Sequence, residues 1–194
     1  MQTYLETGRL RLRQFTAADE DNLFELNSDP EVMRHINGGQ PTPRAEIRDV
    51  ILPFHARYYE RFAGFGTWAA EDRLTGEFLG WFHFRSSDDG ADLGYRLRRA
   101  AWNRGYATEG SRALIRTGFT GLGVPRVFAH AMAANASSRR VLEKCGLTLV
   151  PAARPGGAGG AVTAGPEPDE VDYELTRAQW DRAGRDQSGA AHQA

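Results

Sequence analysis

The chain has 194 residues, 41% hydrophobic and 25% charged, with a formal net charge of −1 and a single cysteine, Cys145. That length and mix suit one globular domain with a substantial core, and the near-neutral balance without a basic stripe argues against nucleic acid as a partner. One cysteine excludes an intrachain disulfide framework and a multi-cysteine zinc site. No apolar run approaches the roughly 20 residues of a bilayer span, and Met1–Tyr4 lacks a signal-peptide pattern. The expectation is a cytoplasmic protein with no metal and no membrane association.

Arg9–Gln14 alternates and reads as a strand with Leu10 and Leu12 inward. Thr16 offers a cap for a helix carrying Leu23, Phe24 and Leu26, which Asp29-Pro30 closes. Thr42-Pro43 reads as a cap followed by proline at the first helical position, ahead of Ile47, Val50, Ile51, Phe54 and Tyr58 at helical spacing. Pro53 predicts a kink or break in that helix. Phe65–Glu71 and Glu77–Phe84 flank a turn at Asp72–Gly76 and predict a hairpin. Ala91–Leu97 is a third strand, with Leu93, Tyr95 and Leu97 on one face and Asp92, Gly94 and Arg96 on the other.

Helical periodicity returns after Gly105, through Ala107, Ser111, Leu114, Ile115 and Leu122. Val127–Ala131 predicts a short strand, and Asn135–Cys145 a helix capped by Asn135 and stopped by Gly146. Leu147–Val150 begins another strand. Residues 151–170 are rich in Gly, Ala and Pro and predict a flexible loop. Val171–Thr176 resumes strand character with Trp180 as an anchor, and the tail at 181–194 is expected to be mobile. This order predicts one α/β (α+β) domain over residues 1–180, built on a central sheet.

The junction at 97–109 carries the chemistry. A strand ends, a loop with Arg98, Arg99 and Arg104 follows, and a helix begins after Gly105. The unpaired N–H groups of a first helical turn attract anions, and Gly105 lets a phosphate approach the backbone. The same spacing fits an ordinary turn with solvated arginines. No GxxxxGK[ST] loop is present, and no GxGxxG lies between a strand and a helix.

Gly94-Tyr95-Arg96-Leu97 followed by Ala101-Trp102-Asn103-Arg104-Gly105-Tyr106-Ala107-Thr108-Glu109 resembles the acetyl-CoA motif of the GNAT superfamily of N-acetyltransferases, nearest its RimJ/RimL-like branch. Asn135, Ser138, Val141-Leu142-Glu143-Lys144 and Gly146-Leu147 resemble that branch's second motif, and Thr7–Arg13 and Asp29–Met33 are also similar to it. The likeness covers roughly residues 5–150 and the 171–180 strand. It departs at Asn103, a frequent glycine; asparagine tolerates positive φ better than most residues.

The resemblance implies a GNAT-like fold: a mixed, mostly antiparallel sheet flanked by helices, with a splayed strand pair holding acetyl-CoA. It further implies that the backbone of Leu97, Arg98 and Arg99 pairs with pantetheine. Arg104, Gly105, Tyr106, Ala107 and Thr108 would bind the diphosphate, and Asn135 the pantetheine arm. The reaction implied is direct attack of a primary amine on the thioester in a ternary complex. Asp92 is the candidate base, directly or through water, with Glu109 as a weaker alternative. Leu142 stands where many members carry an acidic tyrosine, which leaves Ser138 to hydrogen-bond the sulfur. His83 and His130 read mainly as structural strand residues, and Cys145 as core packing. The acceptor expected is a protein N-terminal amine or a small-molecule amine such as an antibiotic or polyamine. A non-catalytic acyl-CoA-binding module is the remaining alternative. An exposed sheet edge leaves room for a homodimer.

Overall fold

A computed structural model describes residues 2–150 and 169–190. Eight strands form one sheet in the order β1-β2-β3-β4-β5-β6-β8-β7. These are β1 (Thr3–Glu6), β2 (Leu10–Gln14), β3 (Gly66–Asp72), β4 (Phe78–Ser87), β5 (Gly90–Leu97), β6 (Arg126–Met132), β7 (Thr148–Val150) and β8 (Glu170–Thr176). Every pairing is antiparallel except β5–β6, which is parallel. The fold is therefore the mixed, mostly antiparallel sheet expected. The first strand, β1, has no alternation and was not expected. Tyr4 ties it down by stacking on Trp68 at 4.0 Å and donating to the Gly64 carbonyl at 2.7 Å.

Helices cover both faces. On one lie α1 (Glu20–Ser28), α2 (Pro30–Asn37), α3 (Arg44–Glu46) and α4 (Leu52–Arg61). They bury Leu23, Leu26, Val32, Ile47 and Leu52 against Phe15, Ala69 and Phe78. On the other lie α5 (Tyr106–Thr117) and α6 (Ala136–Lys144), over a larger core that includes Leu10, Leu12, Phe82, Phe84 and Leu114.

Local signals account for most of the boundaries. Asp29-Pro30 both ends α1 and starts α2, because the Asp29 carboxylate accepts from the Glu31 N–H at 3.0 Å. The cap predicted at Thr42 sits one residue later, at Pro43. The break expected at Pro53 takes the form of a π-helical turn over Ile47–Ile51, where Leu52 N–H reaches back to the Ile47 carbonyl. That wider turn absorbs the hydrogen bond proline cannot donate. The helix expected after Gly105 runs as α5 and then as a second π-helical segment, Gly118–Leu122.

Two expectations concern the C-terminal part. Within the stretch expected to be a tail, α7 (Arg177–Ala190) gives residues 181–190 helical backbone. The Thr176 N–H donates to Gln179 Oε1 at 2.7 Å while Gln179 N–H donates to Thr176 Oγ1, a capping box, and Trp180 packs on Phe119 at 5.2 Å. The loop predicted at 151–170 lies outside the described residues except for Asp169 and Glu170, and Glu170 opens β8. β8 then inserts between β6 and β7.

Both faces of β2 are buried, so its arginines do not all reach solvent. Arg13, 5% exposed, binds Asp19 through two hydrogen bonds of 2.7 and 2.8 Å and Glu71 at 2.6 Å. Burial pushes the Asp19 carboxyl up, but Arg13, the Thr16 N–H and Asn22 offset this and leave it below the ordinary carboxylate range.

His55 has no such partner. Its ring stacks on Phe15 at 5.2 Å, and burial, with the positive charge of Arg85 nearby, lowers its pKa to about 3. Between the unfolded value near 6.5 and about 3 the unfolded chain binds a proton that the folded chain does not. Stability from this group is thus present above pH 6.5 and lost as pH falls. Urea denaturation at pH 7, 6 and 5 should show a wild-type loss from His55 of about 1.4 kcal/mol per pH unit below its unfolded pKa. In His55→Phe that part of the slope should vanish.

Candidate active site

The site follows from how β5 and β6 separate. They pair at Ala91↔Val127 and Asp92↔Phe128 and at no later position. On its other side β5 remains fully paired with β4 through Gly80↔Leu97. The Arg98 N–H donates to the Leu79 carbonyl at 2.9 Å. Antiparallel alternation therefore turns the N–H and C=O groups of Leu93, Tyr95 and Leu97 toward the gap.

A cavity of about 170 Å³ fills that gap and reaches both faces of the sheet. Tyr95, Ser138 and Leu142 line it on the α5–α6 side. Trp81, His83 and Arg96 line it on the side of α1–α4, where Ile36 of α2 also borders it. His130 of β6 stands across from them, its Nδ1 2.7 Å from Asp172.

The turn expected to receive the diphosphate lies at the start of α5. Gly105 caps α5 at φ 82°, a left-handed conformation that strains other residues, and Asn103 also has positive φ, 57°. The first intrahelical bond into Gly105 comes from Glu109, so the N–H groups of Tyr106, Ala107 and Thr108 point out of the helix end. Arg9 holds the loop by donating to the Arg104 carbonyl at 2.9 Å, and Arg104 lies over the Tyr106 ring. The Tyr106 hydroxyl is spent on Asp72 at 3.0 Å, so its main chain is the part that faces an anion. A diphosphate fits this cradle: free N–H groups, a helix N-terminus and no side chain at 105.

Upstream, the strand end is more occupied than the resemblance implies. The Leu97 carbonyl accepts from Trp102 Nε1 at 2.8 Å, the Arg98 carbonyl from the Ala101 N–H at 2.9 Å, and the Arg99 carbonyl from the Trp102 N–H at 3.0 Å. The side chains of Arg98 and Arg99 are drawn to Glu25 and Asp29 on the α1–α2 side. The Leu97 N–H and the edge of β5 before it face the gap. Asn135 caps α6, accepting from the Ser138 N–H at 3.1 Å.

Among the catalytic candidates, Ser138 lines the cavity and Asp92 stands one layer behind it. Asp92 Oδ2 lies 3.3 Å from His83 Nε2, and it is the His83 ring that lines the cavity. The ring sits against Gly94, where a Cβ would come within 2.6 Å of it. Burial lowers the His83 pKa against the opposing pull of Asp92, so the imidazole is neutral. Burial raises the Asp92 carboxyl, but His83, His130 and Arg85 together offset this and leave it below its ordinary value. Spacing did not single out His83, because its contact with Asp92 crosses from β4 to β5.

Tyr95 was also missed. Its hydroxyl is 3.1 Å from Ser138 Oγ, and burial pushes its pKa up to about 12. Only its strand parity, shared with Leu93 and Leu97, hinted at this side of the gap. Glu109 lies outside the cavity, bound by Thr7 Oγ1 at 2.6 Å and by the Arg9 N–H at 2.9 Å. Half-buried Cys145 has its thiol raised to about 11 by burial, consistent with packing.

The GNAT acetyltransferase domain family matches residues 9–148. The chain belongs to the GNAT family of acetyltransferases. It is 32% identical over 191 residues to the FsC-acetyl coenzyme A-N(2)-transacetylase of Aspergillus fumigatus, covering 92% of this chain and 78% of that protein. Two solved structures share the fold. The RimL ribosomal L7/L12 alpha-N-protein acetyltransferase in complex with coenzyme A matches with a TM-score of 0.71 at 16% identity, over 90% of this chain and 98% of that one. The spermidine N-acetyltransferase from Vibrio cholerae, with CoA and spermine, matches with a TM-score of 0.69 at 15% identity, over 90% and 99%. This GNAT enzyme is an N-acetyltransferase that takes acetyl-CoA as donor and an amine as acceptor. Among the described residues no helix is long and apolar enough to cross a membrane.

If the Gly105 turn carries the diphosphate, Gly105→Val should weaken CoA binding about tenfold or more while costing the fold roughly 1–2 kcal/mol. Calorimetric titration with CoA checks this, and an unchanged affinity removes the assignment.

Proposed function

We propose that this GNAT enzyme acetylates a primary amine by direct attack in a ternary complex, with donor and acceptor meeting through the gap between β5 and β6. The observation that carries this reading is the single cavity with Tyr95 and Ser138 on one face of the sheet and His83 and Arg96 on the other. Acetyl-CoA supplies the acetyl group as a thioester, whose C–S bond breaks as the C–N bond forms. The α5 N-terminus at Tyr106, Ala107 and Thr108 holds the diphosphate, with Arg104 and Gly105 shaping the turn. The N–H of Leu97 and the edge of β5 orient the pantetheine chain, and Asn135 adds a contact from its cap position. Arg98 and Arg99 brace the loop through Glu25 and Asp29 rather than reaching the donor.

On the acceptor face His83 takes the proton from the attacking amine. Asp92, 3.3 Å from His83 Nε2, stabilises the imidazolium that forms, so the base is the pair and not the carboxylate alone. On the donor face Ser138 hydrogen-bonds the departing sulfur. Tyr95, its hydroxyl 3.1 Å from Ser138 Oγ, donates through Ser138 in place of the tyrosine absent at Leu142.

The FsC relative acts, by its name, on an N(2) amine, RimL on a protein alpha-N and the Vibrio enzyme on spermidine.

The test is thioester consumption with a panel of amines. His83→Ala should lower kcat about 10²–10⁴-fold with CoA affinity retained, and should abolish the acidic limb of the kcat/KM profile. Tyr95→Phe and Ser138→Ala should each lower kcat less, and the double variant no further than the worse single one, as for two members of one relay. Full activity in His83→Ala would refute the base assignment.

A further inference from the structure

The acceptor side of the cavity holds a charge that the fold leaves without an ionic partner. Arg96 lines the cavity, and among the described residues its one hydrogen bond is from Nη1 to the neutral Asn27 Oδ1 at 2.5 Å. Its Nε is buried with no hydrogen-bond partner. Arg85, on the same side of the sheet, reaches only the neutral Thr67 hydroxyl at 3.3 Å, and its Nε is likewise buried and unpartnered. The neighbouring acid, Asp92, is already engaged by His83.

Other arginines on or beside this sheet do have a counter-charge. Arg13 has two carboxylates, and Arg98 and Arg99 have one each. A guanidinium carries five N–H donors in a fork that matches a carboxylate. Burying it without a counter-charge is costly unless something completes it. Burial, with Arg85 nearby, lowers the Arg96 pKa to about 10, which still leaves the group charged at neutral pH.

Its placement is fixed. The guanidinium lies over the Trp81 ring at 5.0 Å, and buried Asn27 at the end of α1 orients its fork. Among the described cavity-lining residues Arg96 is the one permanently charged side chain, and no lining residue is a carboxylate. A polycation would meet like charge there.

We propose that Arg96 is an anion clamp in the acceptor subsite, and that the amine acetylated by this enzyme carries a carboxylate close to its nitrogen, as an α-amino acid or a compound retaining that carboxyl group does. The clamp receives the carboxylate while His83, on the adjacent strand, faces the amine. The proposal rests on the reading of the cavity as the acceptor site.

The experiment pairs amines that differ only in the carboxylate: phenylalanine with phenethylamine, leucine with isopentylamine, and ornithine with putrescine, with spermidine as the polycation. In the full chain the carboxylated member should be preferred in kcat/KM by about 10- to 100-fold, the worth of a charge-assisted pair. Arg96→Met should erase that preference without changing the affinity for CoA, and Arg96→Lys should keep part of it. Equal or better use of the decarboxylated amines or of spermidine overturns the proposal. A second readout does not need turnover: N-acetyl-phenylalanine and N-acetyl-phenethylamine are titrated calorimetrically into CoA-saturated protein. Tighter binding of the carboxylated product that is lost in Arg96→Met upholds the clamp even if no amine is turned over, a result that would instead count against the catalytic reading. Equal binding of both products, or tighter binding that Arg96→Met leaves intact, overturns the clamp.

Discussion

The parallel contact between β5 and β6 lasts for two residue pairs and then stops, and the working parts of the protein depend on that interruption. A continuous sheet would separate the helices α1–α4 from α5–α6 and would use the outer edge of β5 for pairing. With the pairing lost after Asp92, the N–H and C=O groups of Tyr95 and the N–H of Leu97 become available to a ligand, and side chains from both faces meet in one cavity. The full pairing of β5 with β4 keeps the open edge straight, and the Trp102 indole pins its far end by bonding the Leu97 carbonyl.

Polar groups in this protein divide by whether the fold satisfies them. Arg13, Asp19 and Glu71 form a closed network that joins β2, β3 and the start of α1, and every member has a partner. Glu109 closes in the same way around Thr7 and Arg9 and ties α5 to the β1–β2 connection. Arg96 is held in place but not neutralised, and the His83–Asp92 pair meets at 3.3 Å with a neutral ring. A fold stabilises itself with groups of the first kind; groups of the second kind keep capacity for a reactant.

The donor side of the enzyme was the most legible from sequence, for a local reason. A helix N-terminus, the left-handed glycine at 105 and the asparagine at 103 are properties of consecutive residues, so the turn can be read before anything is folded. The cap at Asn135 and the end of α6 are equally local. The missed elements fail that condition. β1 is held by Tyr4 stacking on a tryptophan 64 positions along the chain, and α7 is anchored by Trp180 on Phe119. The short β7 was expected as a strand, but its pairing depends on β8 inserting beside it.

The order of chemistry-bearing residues along the chain determined the family, the donor and the class of reaction, because the motifs around 94–109 and 135–147 specify backbone conformation directly. It also pointed to Ser138, which lines the cavity, and to Asp92, which stands behind His83. Only the tertiary structure decided which side chains face one another. His83 rather than Asp92 borders the cavity because β4 crosses β5 with Gly94 beneath the ring. Tyr95 reaches Ser138 across 43 residues because the strands part between them. Arg96 is left uncompensated because the α1 residue it meets is the neutral Asn27. Such outcomes depend on distances between elements far apart in sequence, which no local pattern encodes.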